Sequence, residues 1–109
     1  MKRYVIQNAE TLFGRGAKLF EEEYVFASGD AANLVLTMPD GRYITVEVEV
    51  DVGSADLPGL LQAIKYRYMF PVQEQLPLDN VQGYLVAKRI APEIKELCQR
   101  YGVNWIEVP

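Results

Sequence analysis

The sequence predicts one α/β domain in which a small mixed β-sheet, an antiparallel hairpin plus parallel strands, is flanked by helices. Two strand-like runs are joined by Pro39-Asp40-Gly41, which is a strong turn signal. After this hairpin, helix-like and strand-like segments alternate, which predicts right-handed crossovers and parallel pairing. A chain of 109 residues can bury a core but has no room for a second domain.

The first third of the chain gives a mixed signal. Residues 3–7 (RYVIQ) predict a short strand, and Ala9 to Phe20 predicts a helix that Gly14-Arg15-Gly16 interrupts. The following segment, LFEEEYVFA, is ambiguous, because its three glutamates suit a helix end whereas Tyr-Val-Phe suits a strand. Ser28-Gly29-Asp30 then predicts a turn.

The second hairpin strand carries a row of acids. Asn33 to Thr37 and Arg42 to Val52 are the strand-like runs, and side chains alternate between the two faces of a strand. In the second run, one face would hold Ile44, Val46, Val48, Val50 and Val52, and the other Tyr43, Thr45, Glu47, Glu49 and Asp51. If this face is exposed to water, the repulsion among the carboxylates costs little free energy. If it lies in a cleft, the repulsion is stronger and a cation is required to offset it.

The second half of the chain predicts two helices and two strands. Asp56 is placed to cap a helix that holds Pro58 in its first turn and ends near Phe70, before a loop with two prolines. Residues 81–87 (VQGYLVA) predict a buried strand. A helix then opens at Pro92, Gly102 ends it, and VNWIEV closes the chain as a strand.

Composition excludes several kinds of catalytic site. The chain has no histidine, so catalysis by Ser/His/Asp or Cys/His and the histidine metal motifs are ruled out. Cys98 is the only cysteine and fits a small core residue, which leaves the carboxylates to carry any chemistry. No apolar run approaches the roughly 20 residues of a membrane span, and the start MKRYVIQN lacks a signal-peptide core, so we expect a cytoplasmic protein without membrane partners.

The charge distribution predicts a polarised surface. A net charge of −4 argues against a nonspecific nucleic-acid coat, because such binding depends on neutralising phosphates with Lys and Arg. The acids crowd residues 21–56. Six basic residues lie in the second half: Lys65, Arg67, Lys88, Arg89, Lys95 and Arg100. The acidic net charge therefore does not exclude a local basic patch formed by these residues.

The order of these segments resembles a known nuclease superfamily. Gln62 and Tyr66, four residues apart, share one face of the predicted helix, apart from its apolar Leu60, Leu61 and Ile64. The stretch ANLVLTMPDGRYITVEVEVDVGSADLPGLLQAIKYRYMF resembles the core of PD-(D/E)XK, or restriction-endonuclease-like, nucleases, especially RecB-type and archaeal mismatch-endonuclease-like domains. YLVAKRIAPEIKELCQRYGVNWIEV is similar to the end of those domains, so the resemblance covers about residues 31–108.

The resemblance implies a site and a metal ion. Asn33 falls where the family has a metal-binding Asp, Glu47 on its second acid, and Glu49 on its Lys. Gln62 and Tyr66 fall on the family's Gln-x-x-x-Tyr pair, and Glu21 matches more loosely an acid that some members carry on the first helix. The implied cofactor is Mg²⁺ or Mn²⁺, held by Glu47, Glu49, Asn33 and Glu21. Two of the three core positions, those of Asn33 and Glu49, depart from the motif.

Three functions follow as hypotheses. The first is a metal-dependent DNA phosphodiesterase, a hydrolase acting as a nuclease, with an altered active site. The second is a catalytically inactive nuclease-fold module that binds DNA, including branched or single-stranded DNA, or a protein partner. The third is a structural domain in which Glu47 and Glu49 are solvated, Asn33 only starts a strand, and Gln62 and Tyr66 rim an amphipathic helix. By analogy with the superfamily, we also expect the chain to form a homodimer or to belong to a larger multidomain protein.

Overall fold

A computed structural model describes residues 1–109 and shows a five-stranded mixed sheet with helices on both faces. The helices are α1 (Lys2–Gln7), α2 (Ala9–Phe13), α3 (Leu57–Glu74) and α4 (Pro92–Arg100), with a 3-10 turn at Leu78–Asn80. The strands are β1 (Lys18–Val25), β2 (Ala31–Thr37), β3 (Tyr43–Val48), β4 (Asp51–Val52), β5 (Val81–Ala87), β6 (Arg89–Ile90) and β7 (Val103–Glu107). The predicted fold class, an α/β domain with a small mixed sheet flanked by helices, is confirmed.

The main sheet has the order β1-β2-β3-β5-β7. The first three strands are antiparallel neighbours, and β3, β5 and β7 run parallel, as the alternation of helices and strands predicts. Short β4 and β6 form a separate parallel pair beyond the carboxyl ends of β3 and β5. The chain segments that follow the three parallel strands therefore meet at one edge of the sheet, which we call the carboxyl edge.

The N-terminal prediction is wrong. Residues 3–7 lie in α1, because only one side of this segment is in contact with the sheet: Val5 is fully buried, whereas Tyr4 is exposed. The predicted helix over 9–20 ends at Phe13, where Gly14 and Gly16 adopt φ of 130° and 85°. Positive φ in that range suits glycine and breaks a helix. The ambiguous segment LFEEEYVFA belongs mainly to strand β1.

The hairpin is confirmed, but its second strand is shorter than predicted. The Met38 N–H donates to the Arg42 carbonyl over 2.9 Å, and this bond closes the turn between β2 and β3. β3 stops at Val48, and the chain shifts to β4, where Asp51 pairs in register with Arg89. The predicted alternation fails there, since Val50 is 57% exposed.

Helix α3 is longer than predicted and starts differently. It continues through Pro71, which is buried, and ends at Glu74 before Gln75 turns left-handed with φ of 56°. The helix tolerates this proline although the ring removes one N–H donor, and burial of the ring offsets that loss. Asp56 precedes the helix but does not cap it, because its carboxylate accepts the Gly53 N–H over 2.9 Å.

The core divides between the two faces of the sheet. Val5 and Ala9 of the first two helices pack with Leu34 and Val46 on one face. Helices α3 and α4 cover the other face, where two further clusters form, one around Leu60 and Ile94 and one around Tyr66 and Phe70. Predicted strand β5, helix α4 and closing strand β7 are confirmed, and Cys98 is buried in α4 as expected. None of the helices is both long and apolar enough to traverse a lipid bilayer.

Candidate functional site

Asn33 and Glu47 lie side by side on the central strands. The register that pairs Leu34 with Val46 brings Asn33 next to Glu47 where β3 ends. The Asn33 side-chain oxygen accepts the backbone N–H of Val48 over 2.8 Å. This hydrogen bond extends the pairing of β2 and β3 by one bond. It occupies one of the two lone pairs of the Asn33 side-chain oxygen.

Glu47 is a buried carboxyl group without a cation beside it. It is 7% exposed, and its Oε2 atom has no hydrogen-bond partner. The pKa of Glu47 is raised to about 8, mainly by burial and in addition by the negative charges of Glu49 and Glu23. Every one of these influences opposes ionisation, so Glu47 is mostly protonated at neutral pH.

Glu49 reaches from the end of β3 to the start of helix α3. A methyl group built on Gly59 would stand 3.1 Å from the Glu49 Cγ and Oε1 atoms, so the absence of a side chain there leaves the space that the carboxylate uses. The amino end of a helix carries partial positive charge, which favours a carboxylate at this point. Sequence reasoning missed Gly59, although a glycine inside a predicted helix is itself a signal, because it costs roughly 0.5–1 kcal/mol relative to Ala.

Gln62 and Tyr66 face the sheet from α3, as their spacing predicts. Gln62 is half-buried, and its Oε1 atom is buried without a hydrogen-bond partner. Tyr66 is 4% exposed and its ring stacks on Phe26, with centroids 4.9 Å apart. Burial raises the pKa of Tyr66, and the negative charge of Glu47 raises it further. The predicted separation from the apolar face is wrong, since Tyr66 lies in the core and Leu61 is 57% exposed.

The first strand brings a different acid near Glu47 from the candidate Glu21. Glu21 lies exposed on β1, and its side chain takes part in no hydrogen bond or ion pair. The negative charge of Glu23 contributes to the raised pKa of Glu47. The Glu23 carboxylate itself accepts a hydrogen bond from the Lys2 ammonium over 3.0 Å. Sequence reasoning missed Glu23 because the run Glu21 to Glu23 gives no sign of which acid turns inward. A register irregularity in β1 and a positive φ of 52° at Glu23 decide it.

Asp51 leaves the row of acids at the carboxyl edge. Its carboxylate accepts two hydrogen bonds from Arg89, of 3.0 and 3.4 Å. The Arg89 guanidinium is the main reason that the pKa of Asp51 lies below its ordinary value. Arg89 is therefore paired, whereas neighbouring Lys88 is exposed and has no ion-pair partner. The reading of Asp51 as a strand-end acid fits this geometry.

The candidate site thus joins Asn33, Glu47, Glu49, Gln62 and Tyr66, but it is not a preformed metal centre. No three acidic or cysteine side chains lie close enough together to hold a metal ion. Magnesium prefers ionised carboxylates and near-octahedral oxygen ligands. The neutral Glu47 and the engaged Asn33 amide do not supply that set as they stand, although Glu47 Oε2 and Gln62 Oε1 are two unused acceptor atoms.

Comparison with known proteins points to nucleases. A family model described as the endonuclease NucS C-terminal domain matches residues 1–109. A search of curated proteins finds no match. The predicted kinship with nuclease domains is confirmed at this level, whereas the equivalence of Asn33, Glu47 and Glu49 to a PD-(D/E)XK motif stays a prediction.

Solved structures agree on the fold. An EndoMS-dsDNA2 complex matches with a TM-score of 0.80 at 22% identity, covering 100% of this chain and 44% of the other. A repair endonuclease from Pyrococcus abyssi matches with a TM-score of 0.79 at 20% identity, covering 99% and 45%. An apo form of EndoMS matches with a TM-score of 0.75 at 22% identity. At these identities the likeness establishes the fold, and the chain spans a little less than half of these solved proteins.

Proposed function

We propose, because the chain belongs to the endonuclease NucS C-terminal domain family, that it is a DNA-associated nuclease-fold module that does not cleave DNA by itself. One observation carries the second half of this proposal. The charged groups that act on buried Glu47 are both carboxylates, those of Glu49 and Glu23, and no Lys or Arg is among them. No Lys or Arg therefore neutralises Glu47, although Lys2 and Arg3 line a pocket together with Asn33.

The chemistry of phosphodiester cleavage explains why the missing positive charge beside Glu47 matters. Negative charge builds up on the phosphate in the transition state, and enzymes stabilise it with metal ions or with Lys and Arg side chains. Glu49 stands where the resemblance implies a lysine, and the Asn33 oxygen already accepts the Val48 N–H. In the metal-free protein, a neutral Glu47 adds no ligand charge for a metal ion. These departures from the family's motif support the proposal of a module that does not cleave DNA.

Association with DNA is supported by the family and by one feature of the surface. A structural neighbour is a complex of EndoMS with dsDNA, and at the carboxyl edge of this chain Lys88 is exposed and unpaired. Phosphate contacts from such lysines give binding that weakens as salt increases. With a net charge of −4, we expect modest affinity that depends on a few such contacts.

The experiment measures binding and cleavage of the same labelled DNA. Duplex, single-stranded and branched substrates are incubated with Mn²⁺, with Mg²⁺ and with EDTA. We expect salt-dependent binding that EDTA does not change and no product in any condition. Binding to none of the substrates at low salt would reject DNA association and leave a protein partner as the alternative. Cleavage in Mn²⁺ that Glu47→Gln abolishes would reject the silent-module proposal.

The second candidate is a metal-dependent DNA phosphodiesterase with an altered site. It is favoured by the two buried acceptors without partners, Glu47 Oε2 and Gln62 Oε1, since such atoms cost free energy unless something binds them. Mg²⁺ or Mn²⁺ held by Glu47 and Glu49 would ionise Glu47 and supply an activated water. Mn²⁺-dependent cleavage by the wild-type chain that Glu47→Gln abolishes would support this candidate. If the wild-type chain does not cleave, gain of cleavage in Asn33→Asp with Glu49→Lys would instead identify a nuclease site that two substitutions have silenced.

Several predictions from the sequence remain untested. Binding of branched or single-stranded DNA, a metal cofactor, self-association, a cytoplasmic location and membership of a larger multidomain protein all remain predictions. The binding assay above compares the affinities for duplex, single-stranded and branched DNA. Phosphate contacts alone should give little preference among these forms.

A further inference from the structure

A pocket of about 480 Å³ lies between helix α1 and strands β1 to β3, on the other side of the sheet from Glu47. Its polar lining consists of Lys2, Arg3, Glu22 and Asn33. Val48 also lines it and packs with the apolar cluster beneath α1 and α2. Because Val48 and Glu47 are adjacent on β3, their side chains point to opposite faces of the sheet. The pocket is therefore separate from the Glu47 site.

Two cations line this pocket, and only one of them is neutralised by the protein. The Lys2 ammonium lies 3.3 Å from the Glu22 carboxylate and 3.0 Å from that of Glu23. Arg3 is exposed and forms no ion pair. A guanidinium presents a planar fork of N–H donors that matches the oxygens of a phosphate group. The pocket thus offers one free guanidinium and an ammonium that a phosphate dianion can draw away from its carboxylates.

Asn33 adds neutral donors to the same wall. Its side-chain oxygen accepts the Val48 N–H over 2.8 Å, which fixes the orientation of the amide. The amide NH₂ group therefore keeps two N–H donors without a partner on the protein. Phosphate oxygens accept hydrogen bonds from Arg, Lys and Asn side chains alike, so all three polar groups suit one anion.

The remaining lining is apolar and suits the nucleoside that accompanies such a phosphate. It consists of Met1, Ile6 and Val48. Pockets for small molecules are typically about 300–1,000 Å³ and combine apolar walls with a few polar groups, so this one has room for a mononucleotide. A base inside a duplex would have to be unstacked and unpaired to enter, which favours a strand end or a free nucleotide.

We propose that this pocket binds a mononucleotide unit through its phosphate group, with Arg3 and Lys2 as ionic partners and Asn33 as a neutral donor. The unit is the phosphorylated end of a DNA strand or a free nucleotide, and only the first source rests on the proposed function. Glu22 opposes binding, because its carboxylate lines the pocket and holds Lys2. We therefore expect a dissociation constant on the order of 1 mM at low salt.

Titration of the ¹⁵N-labelled chain with deoxyadenosine monophosphate (dAMP), followed by NMR, tests the pocket without DNA. We expect saturable shifts at the backbone amides of Arg3 and Val48 and at the side-chain amide of Asn33. Deoxyadenosine, which lacks the phosphate, should shift them much less at the same concentration. Equal shifts with deoxyadenosine, or no saturable shift up to about 10 mM dAMP, would overturn the proposal.

Two substitutions with opposite effects test the residues. Arg3→Gln should weaken dAMP binding by about five-fold, whereas Arg15→Gln, which removes an exposed arginine from the turn after α2, should not. Glu22→Gln removes the competing carboxylate and should strengthen binding by about three-fold, whereas Glu21→Gln, also exposed on β1, should not. A misfolded variant cannot bind more tightly. Unchanged affinity in either Arg3→Gln or Glu22→Gln would overturn the proposal.

Oligonucleotides separate the two sources of the phosphate. Internally labelled single strands with a phosphate at both ends or at neither are compared by fluorescence anisotropy. A preference for phosphorylated ends that Arg3→Gln removes would identify the DNA end as the ligand, whereas no preference beside intact dAMP binding would identify a free nucleotide. Binding of dAMP by a chain that binds no DNA would reject the proposed function alone. DNA binding by a chain that does not respond to dAMP would reject the pocket alone.

Discussion

At the residue scale, three acids that the sequence aligns on one predicted strand lie in three different environments. Glu47 is buried and mostly protonated, Glu49 lies against Gly59, and Asp51 forms an ion pair with Arg89. Their sequence spacing is identical, so only the neighbours distinguish them. The chemical character of a carboxylate here depends on what α3 and β6 place beside it.

Glu47 should make stability depend on pH. Its pKa is about 8 in the folded protein and near 4.5 when unfolded, so between these values the folded state binds more protons. Stability therefore falls as pH rises through this window, by up to about 1.4 kcal/mol per pH unit, and levels off above it. Glu47→Gln removes this contribution and should gain stability relative to wild type at pH 8 but not at pH 4.

Urea unfolding of both proteins at several pH values between 4 and 9 measures this effect. Glu96→Gln, which removes an exposed glutamate of α4, controls for the loss of one charge. Parallel wild-type and Glu47→Gln stability curves would show that Glu47 ionises normally in the folded state.

Lys88 gives a second prediction at this scale, for the proposed association with DNA. Lys88→Ala should lower affinity and reduce the slope of log K against log salt by about 0.9 if it contacts one phosphate of duplex DNA. Lys18→Ala is the control, because Lys18 is also exposed and without an ion-pair partner but lies at the opposite edge of the sheet. Equal losses in the two variants, measured by fluorescence anisotropy, would exclude a specific contact at the carboxyl edge.

At the element scale, close approach of α3 to the sheet depends on glycine. A Cβ on Gly83 of β5 would stand 2.6 Å from the Arg67 Cβ and 2.9 Å from its Cγ. Gly83→Ala must therefore push the helix and the strand apart. We expect a loss of about 1–3 kcal/mol in unfolding free energy, the usual cost of overpacking.

The rescue experiment separates this cause from others. Arg67→Ala leaves the Arg67 Cβ in place, so adding it to Gly83→Ala should restore little of the loss. Full restoration in denaturant unfolding would mean that the far end of the Arg67 side chain, rather than the helix backbone, sets the spacing.

At the scale of the whole molecule, three apolar clusters hold the layers of the fold together. No group of three acidic or cysteine side chains converges within it. A ligand that binds only the folded state raises the melting temperature according to its concentration and affinity. We therefore expect Mn²⁺ to leave the melting temperature unchanged relative to an ionic-strength control. A rise that Glu47→Gln removes would support the second candidate function.

Much of the architecture follows from local signals. The turn Pro39-Asp40-Gly41, the apolar run 81–87 and the Pro92 to Gly102 helix signals each act over a few residues, so they predict β2–β3, β5 and α4 correctly. The failures lie where distant contacts override local preference. Val5 turns residues 3–7 into a helix by packing on the sheet, and buried Pro71 continues a helix that its ring would end elsewhere.

Composition, turns and periodicity are local properties of the chain, so they were enough to predict the fold class and to exclude histidine chemistry, and the order of short motifs carried the resemblance to nucleases. Which acids come together depends on tertiary packing. Packing buries Glu47, pairs Asp51 with Arg89, brings Glu23 near Glu47 and engages the Asn33 amide with Val48. A pKa depends on burial and on charges that are distant in sequence, so the character of the candidate site appears only when β1, β2, β3 and α3 are packed together.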